Sequence, residues 1–381
     1  MATFEVLVYK VTIEPHPDAD SIELAVIGDY RSVVKKGMYK TGDLAVYIPE
    51  AAILPEWVLK NQGFWDNNNQ KGMLAGSAGN RVKAARFRGI ISQGIVYPII
   101  NDKNGNYLNI KDNPNEESDF IEVTEGEDVT KYLGIVKYEP PIPTHLSGEV
   151  CNLMGYTLTY DIENYKKYPN IVKDGEEVIF SEKIHGTWCE IGWVPELDHL
   201  EIEDGKLIVS SKGLSSQGLA FKFNENNVNN VYVKVAKQIK HLVKQLSDEI
   251  QSPVYILGEI FGPIQDMRYG FCEPQFRVFD IYVGLPTQGR YQDKDFVIEW
   301  CEKLGIKTVP ILYRGPFSVT KLREFTSGKE TVSGHEVHLR EGLVINVIPE
   351  RYSPELNGRL VLKSVSDEYL LRKNKNATEF N

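Results

Sequence analysis

The stretch SEKIHGTW (181–188) sets Lys183 two residues before His185, directly after the apolar run Val178-Ile179-Phe180. An amine attacks only when neutral, and near its ordinary pKa roughly one lysine in a few thousand is neutral at pH 7. A nucleophilic Lys183 therefore needs a second cation, a metal ion or a dry pocket beside it. Segments far downstream offer charges embedded in apolar strands. Glu259 closes VYILGE, Asp280 follows Phe279 in FRVFDIYV, Glu341 opens EGLVI and Lys363 lies in LVLKS. Such charges are costly unless paired or bound to a ligand. Each alone is equally well a strand-end salt bridge, and a lone KxxG is uninformative; it is their number and order that point to a site.

The elements carrying these residues divide into two textures. From Thr3 to about Ile135, short alternating runs such as FEVLVYKVTIE, SIELAVIGD, DLAVYIP and GIVYPII are punctuated by glycine, which predicts a small β-barrel or sandwich. Two stretches rich in Asn, Asp and Gly, 61–80 and 101–119, read as surface loops. YEPPIPTHLSG (138–148) carries three prolines and little apolar content, which marks a linker. Beyond it, strands mix with helices. HLEIEDGKLIVSS (199–211) reads as a hairpin about Asp204-Gly205. Residues 229–250 repeat Val231, Val235, Ile239, Leu242 and Leu246 on one helical face, with lysines 234, 237, 240 and 244 on a solvated one. DKDFVIEWCEKLG reads as a helix stopped by Gly305, and EGLVINVIP with RLVLKSV as a strand pair. The tail RKNKNATEFN reads as frayed.

Taken in order, KxHG (183–186), SKG (211–213), GEIFG (258–262), Phe279-Asp280, EGLVI (341–345) and LVLKS (360–364) resemble the nucleotidyltransferase motifs of ATP-dependent RNA ligases. The amino-terminal region resembles the OB-like module that precedes this domain in one group of those ligases. The resemblance implies an α+β protein: an OB-like nucleic-acid-binding barrel at 1–137, a linker at 138–148, and an antiparallel-sheet adenylyltransferase domain at 149–381. It implies that Lys183 attacks the α-phosphorus of ATP and carries AMP to an RNA 5'-phosphate, after which a 3'-OH seals the ends of a nick and AMP leaves. It further implies that Glu341 holds Mg2+ or Mn2+, Lys363 contacts the α-phosphate and His185 contacts phosphate or leaving group. Glu259 would take the ribose, Phe279 and Val344 would sandwich adenine, and Glu182 would read its edge. Ile184, Gly186 and Lys212 complete the implied nucleotide-binding set.

Two positions depart from the family pattern. Lys212 stands where arginine is frequent, keeping charge without the bidentate fork. Val361 stands where the last motif often has a first lysine, on the strand face it shares with Lys363. A DNA ligase or GTP-dependent capping enzyme is the alternative within this chemistry, and an inactive RNA-binding protein the alternative outside it. His185 and the amino-terminal position of the barrel count against the first.

The net charge of −10 gives no mean attraction to nucleic acid, so RNA contact must come from a local patch. Arg81, Lys83, Arg86 and Arg88 around Phe87 form one, with a merely charged barrel exterior as the equal alternative. Four widely spaced cysteines without a CxxC suit a reducing, cytoplasmic setting. There the sequon Asn376-Ala377-Thr378 has no meaning. No stretch has the length of a membrane span, and a monomer working without protein partners is the default expectation.

Overall fold

The computed structural model describes residues 4–139 and 146–372, which fall into two compact units. The amino-terminal unit also takes in Tyr165–Pro169; the remaining described residues form the second. Much of the expected linker and the tail with its sequon lie outside the described residues. The α+β class holds, with strands predominating.

In the amino-terminal unit, Leu44–Ile48 pairs antiparallel with Leu7–Lys10 on one side and Ile95–Pro98 on the other. All five of its residues are buried, because apolar clusters cover both its faces. That explains the unbroken apolar run LAVYI, where a one-sided strand would alternate. Thr12–Pro15, Ile22–Ile27 and Tyr30–Lys35 form an antiparallel meander beside it.

The two polar stretches are not simply loops. Trp65–Asp66 pairs with Lys71–Gly72, and Ile100–Asp102 pairs with Gly105–Asn109. Their Asn- and Asp-rich residues make the turns: Asp66 accepts from the backbone of Asn68 and Asn69, and Asp102 from that of Asn104 and Gly105. Leu108 and Ile110 then reach the core.

The second unit is built on two five-stranded sheets. The first runs in the order Glu163–Asn164, Val361–Val365, Gly342–Val347, Glu177–Lys183, Ile311–Pro316, antiparallel except at its first, parallel pair. The second runs Leu207–Ser211, Thr187–Trp193, Val254–Phe261, Gln275–Val283, Arg290–Tyr291, antiparallel throughout. Helix Val231–Ile250 begins at Asn230, whose side chain accepts from the backbone of Tyr232 and Val233. Its apolar face joins helix Lys294–Leu304, which ends at Gly305 in the left-handed region, in one core against the second sheet. Lys240 bridges Glu203 and Asp204, and Lys244 bridges Asp248, as a solvated face would.

The Asp204-Gly205 turn forms, with both residues at positive φ, but only Leu207–Ser211 follows it as a strand. Residues 200–201 form a turn; Leu200 is 98% exposed while Ile202 is buried, so the segment anchors one side chain in the core without pairing as a strand. The pairing of Gly342–Val347 with Val361–Val365 is as expected. No helix among the described residues is long and apolar enough to cross a membrane.

Candidate active site

Lys183 is the last residue of a central strand of the first sheet, and Thr187 opens a central strand of the second. The turn Ile184–Gly186 is thus the crossing between the sheets. It fits closely: a Cβ on Gly186 would lie 2.3 Å from the carbonyl oxygen of Ile260. Register then sets the neighbours of Lys183. Ser181 pairs with Val344, which pairs with Lys363, while Lys183 pairs with Gly342. Directly paired residues share a sheet face, so Val344 and Lys363 lie on the face of Lys183. Val344 is also the one residue of its strand that is not buried.

Lys183 Nζ donates to Glu341 Oε1 at 2.5 Å. Burial alone pulls the Lys183 pKa down, but Glu341 and Glu259 more than reverse this and hold it above its ordinary value. The other Glu341 oxygen is buried without a partner among the described residues. Glu259 is half-buried, and burial pushes its carboxyl up to about 8, against the pull of Lys183. Burial also pushes Lys363 down to about 8, opposed by Asp161 and reinforced by Lys212 and Lys183. Lys212 itself sits 3.0 Å from Asp161. The structure therefore brings together Lys183, Lys212, Glu259, Glu341 and Lys363, residues up to 180 positions apart in the chain.

Other expected positions differ. The His185 ring is engaged at both nitrogens, Nε2 with Asp266 Oδ1 at 2.7 Å and Nδ1 with the Tyr369 hydroxyl at 2.8 Å. Its backbone N–H donates to the Tyr269 hydroxyl. No ring nitrogen is left for phosphate, so His185 fixes the turn rather than touching the expected leaving group. Glu182 alternates to the opposite strand face from Lys183 and accepts from the Thr331 backbone and hydroxyl at 2.8 and 2.5 Å. Its other oxygen, Oε1, is buried with no partner among the described residues. Ile184 is packed in an apolar cluster with Phe261, Met267 and Tyr269, so only its backbone remains for a ligand. Asp280 is held by Arg359 at 2.5 Å, an ordinary buried ion pair.

Phe279 is half-buried, its ring 5.4 Å from that of Tyr160, which in turn lies 6.3 Å from Trp188. Tyr160, Asp161, Asp266, Tyr369 and Arg372 carry no spacing signal in the sequence. Val361 is buried beside Asn346.

In the amino-terminal unit the basic cluster divides. Arg86, Phe87 and Arg88 are exposed at the tip of the hairpin Ala85–Phe87/Ile90–Ser92, whose turn places Arg88 and Gly89 at positive φ. Arg81 is half-buried with its guanidinium 4.2 Å from the Tyr138 ring centre, and Lys83 is half-buried.

A lysine at the crossing of two largely antiparallel sheets, ringed by carboxylates and further lysines, defines a nucleotidyltransferase. Residues 176–365 match the family model described as RNA ligase, and residues 6–99 match that of an OB-fold domain. The chain belongs to the RNA ligase family. No curated protein matches it. Among solved structures it is similar to the Naegleria gruberi RNA ligase with PPi, at 24% identity and a TM-score of 0.69, covering 97% of this chain and 98% of that one. Mutants of the same ligase with ATP and Mn (22% identity, TM-score 0.70) and with AMP and Mn (22%, 0.68) each cover 97% of this chain and 98% of theirs. These likenesses establish a common fold over nearly the whole length.

Proposed function

We propose that this RNA ligase uses ATP to seal 3'-OH/5'-phosphate RNA ends, nicks in duplexes above all, through a lysyl-AMP on Lys183 and an RNA-adenylate, in the service of RNA repair. The observation that carries this is the Lys183–Glu341 pair at the crossing of the sheets, with Glu259, Lys212 and Lys363 around it. The solved relatives with ATP, AMP and Mn support the choice of nucleotide and metal. In this reading residues 1–137 bind RNA through Arg86 and Arg88, and 149–381 carry the adenylation site.

Lys183 must lose its proton before it attacks. The Nζ lone pair then forms a bond to the α-phosphorus while the bond from that phosphorus to the pyrophosphate oxygen breaks, and the electron pair leaves with pyrophosphate. Lys363 on the same sheet face balances charge on the α-phosphate. Phe279 and Val344 bound the base, and Glu259 faces the ribose. In the later steps an oxygen of the RNA 5'-phosphate displaces Lys183 from phosphorus, and the 3'-OH displaces AMP. The buried Glu341 oxygen that has no partner among the described residues, with Glu259 nearby, is an all-oxygen donor set that fits Mg2+ or Mn2+. Such an ion would offset phosphate charge and favour the neutral Lys183 amine.

Incubating the purified protein with α-labelled ATP and Mg2+ or Mn2+, then denaturing it, reads the first step directly. Wild type is expected to retain acid-labile label and Lys183→Ala none. Absence of label on wild type overturns the proposal, and label from GTP instead moves it to capping chemistry. Nicks whose 3'-OH strand ends in ribose should be sealed in preference to those ending in deoxyribose; equal sealing refutes RNA specificity.

A further inference from the structure

The cations gathered on the reacting face are too few for the task. Lys183 gives up its charge on reacting, Lys212 is tied to Asp161, and Glu341 adds negative charge to that of a triphosphate. The position on the Lys363 face that could carry another lysine is Val361, buried and apolar. A further cation must come from outside the sheet.

Arg372, just beyond the short helix Asp367–Leu370, has the required properties. Its side chain is 11% exposed. Its guanidinium lies 3.6 Å from the Tyr369 ring centre, Nη1 donates to the Tyr369 carbonyl at 2.9 Å, and Nε faces Asp266 Oδ2 at 3.5 Å. Nη2 is buried with no partner among the described residues. Asp266 and Tyr369 are also the two residues that hold the His185 ring, so Arg372 is built into the frame of the turn that follows Lys183.

We propose that Arg372 is a phosphate-binding residue of the adenylation site, its unpartnered Nη2 edge presented to a non-bridging oxygen of the ATP phosphates beside Lys183. Two observations favour this over a purely structural clamp. A clamp on Asp266 uses Nε, and the stack on Tyr369 uses the ring face, so neither accounts for a buried N–H2 left without an acceptor among the described residues, which is costly for a charged group. The charge of Arg372 also reaches Lys183, where it opposes the carboxylates and lowers proton affinity. Phosphate is the anion a guanidinium edge matches best, and it is the one this site receives.

The inference rests on the adenylation reading and is tested apart from it. In the full-length protein with Mn2+, single-turnover labelling is followed across ATP concentrations. Arg372→Gln is expected to raise half-saturating ATP and slow labelling roughly tenfold or more, the loss of one charge-assisted hydrogen bond. The melting temperature should hold, and Arg372→Lys should recover part of the rate. Adding Val361→Lys to Arg372→Gln is expected to restore some labelling by supplying a cation on the Lys363 face. Labelling of Arg372→Gln at the wild-type rate and half-saturation overturns the proposal. So does a loss with unchanged half-saturation that Asp266→Asn reproduces, since that is the behaviour of a clamp. If Arg372→Gln does not fold, Arg372→Lys decides alone, and wild-type half-saturation in that variant overturns the proposal. A wild type that takes no label refutes the ligase reading itself, a different result from equal labelling of wild type and variant.

Discussion

Glu190 shows what burial does to a carboxyl with no cation beside it. It sits within the strand Thr187–Trp193, fully buried, both oxygens accepting from the backbone N–H of Leu158 at 3.2 and 3.1 Å, and burial pushes its carboxyl up to about 8. A carboxyl raised on folding binds its proton more tightly in the folded chain than in the unfolded one. Its favourable contribution is therefore full below the unfolded value near 4.5 and is lost as pH rises towards 8. Glu190→Gln should remove that loss, so that the variant gains on wild type by up to about 1.4 kcal/mol per pH unit across this window. Urea unfolding of both proteins at pH 5.5, 6.5 and 7.5 checks this, and parallel stability curves would contradict it. Glu190 also marks a limit of reading sequence, because its setting in TWCEIGW looks no different from those of Glu259 and Asp280. One of the three faces the proposed nucleotide, one pairs with Arg359, and one is buried on Leu158. An embedded charge announces only that something must compensate it; which partner does so is settled by strand register.

Strand register is what the sequence half discloses. The alternation in EGLVINV and LVLKS is enough to place Val344 and Lys363 on one face, as the observed pairing has it. The linear order of the motifs likewise leads to Lys183, Glu259, Glu341 and Lys363 as one constellation. What alternation cannot convey is contact across the crossing of the sheets. His185 therefore reads as a phosphate ligand until Asp266 and Tyr369 are seen to hold its ring, and the hydrogen bonds from Thr331 to one Glu182 oxygen are equally invisible in the sequence. Asn- and Asp-rich stretches fail for another reason: turn residues dominate their composition although the turns close hairpins. The glycine after His185 does belong to the crossing, by close approach rather than unusual φ. Gly186→Ala places a Cβ 2.3 Å from the Ile260 carbonyl oxygen and 3.0 Å from Glu259 Cγ, and backbone cannot yield as a side-chain end can. Overpacking of this kind costs about 1–3 kcal/mol. The variant is expected to melt lower and to take up AMP label at a small fraction of the wild-type rate; a wild-type labelling rate would show that the turn tolerates displacement.

A chain of net charge −10 that acts on RNA must separate its attraction for phosphate from its mean field. The exposed hairpin tip with Arg86, Phe87 and Arg88 supplies a local patch, two cations flanking an aromatic ring that is 46% exposed. Arg81, stacked on Tyr138, belongs instead to the packing of the amino-terminal unit. The tip is thus expected to serve RNA while Lys183, in the other compact unit, serves ATP. The two roles are separable by salt. Each cation that neutralises a nucleic-acid phosphate adds about 0.7–0.9 to the slope of log affinity against log salt. Arg86→Gln with Arg88→Gln should weaken binding to a nicked RNA duplex and make that slope shallower by about 1 to 2. Sealing at limiting RNA should fall in step with affinity, whereas labelling of Lys183 by ATP, which needs no RNA, should persist. Titrating wild type and the double variant against the same duplex from low to physiological salt decides the matter. Identical slopes would make the tip a charged barrel exterior and send the search for the RNA surface to the second unit.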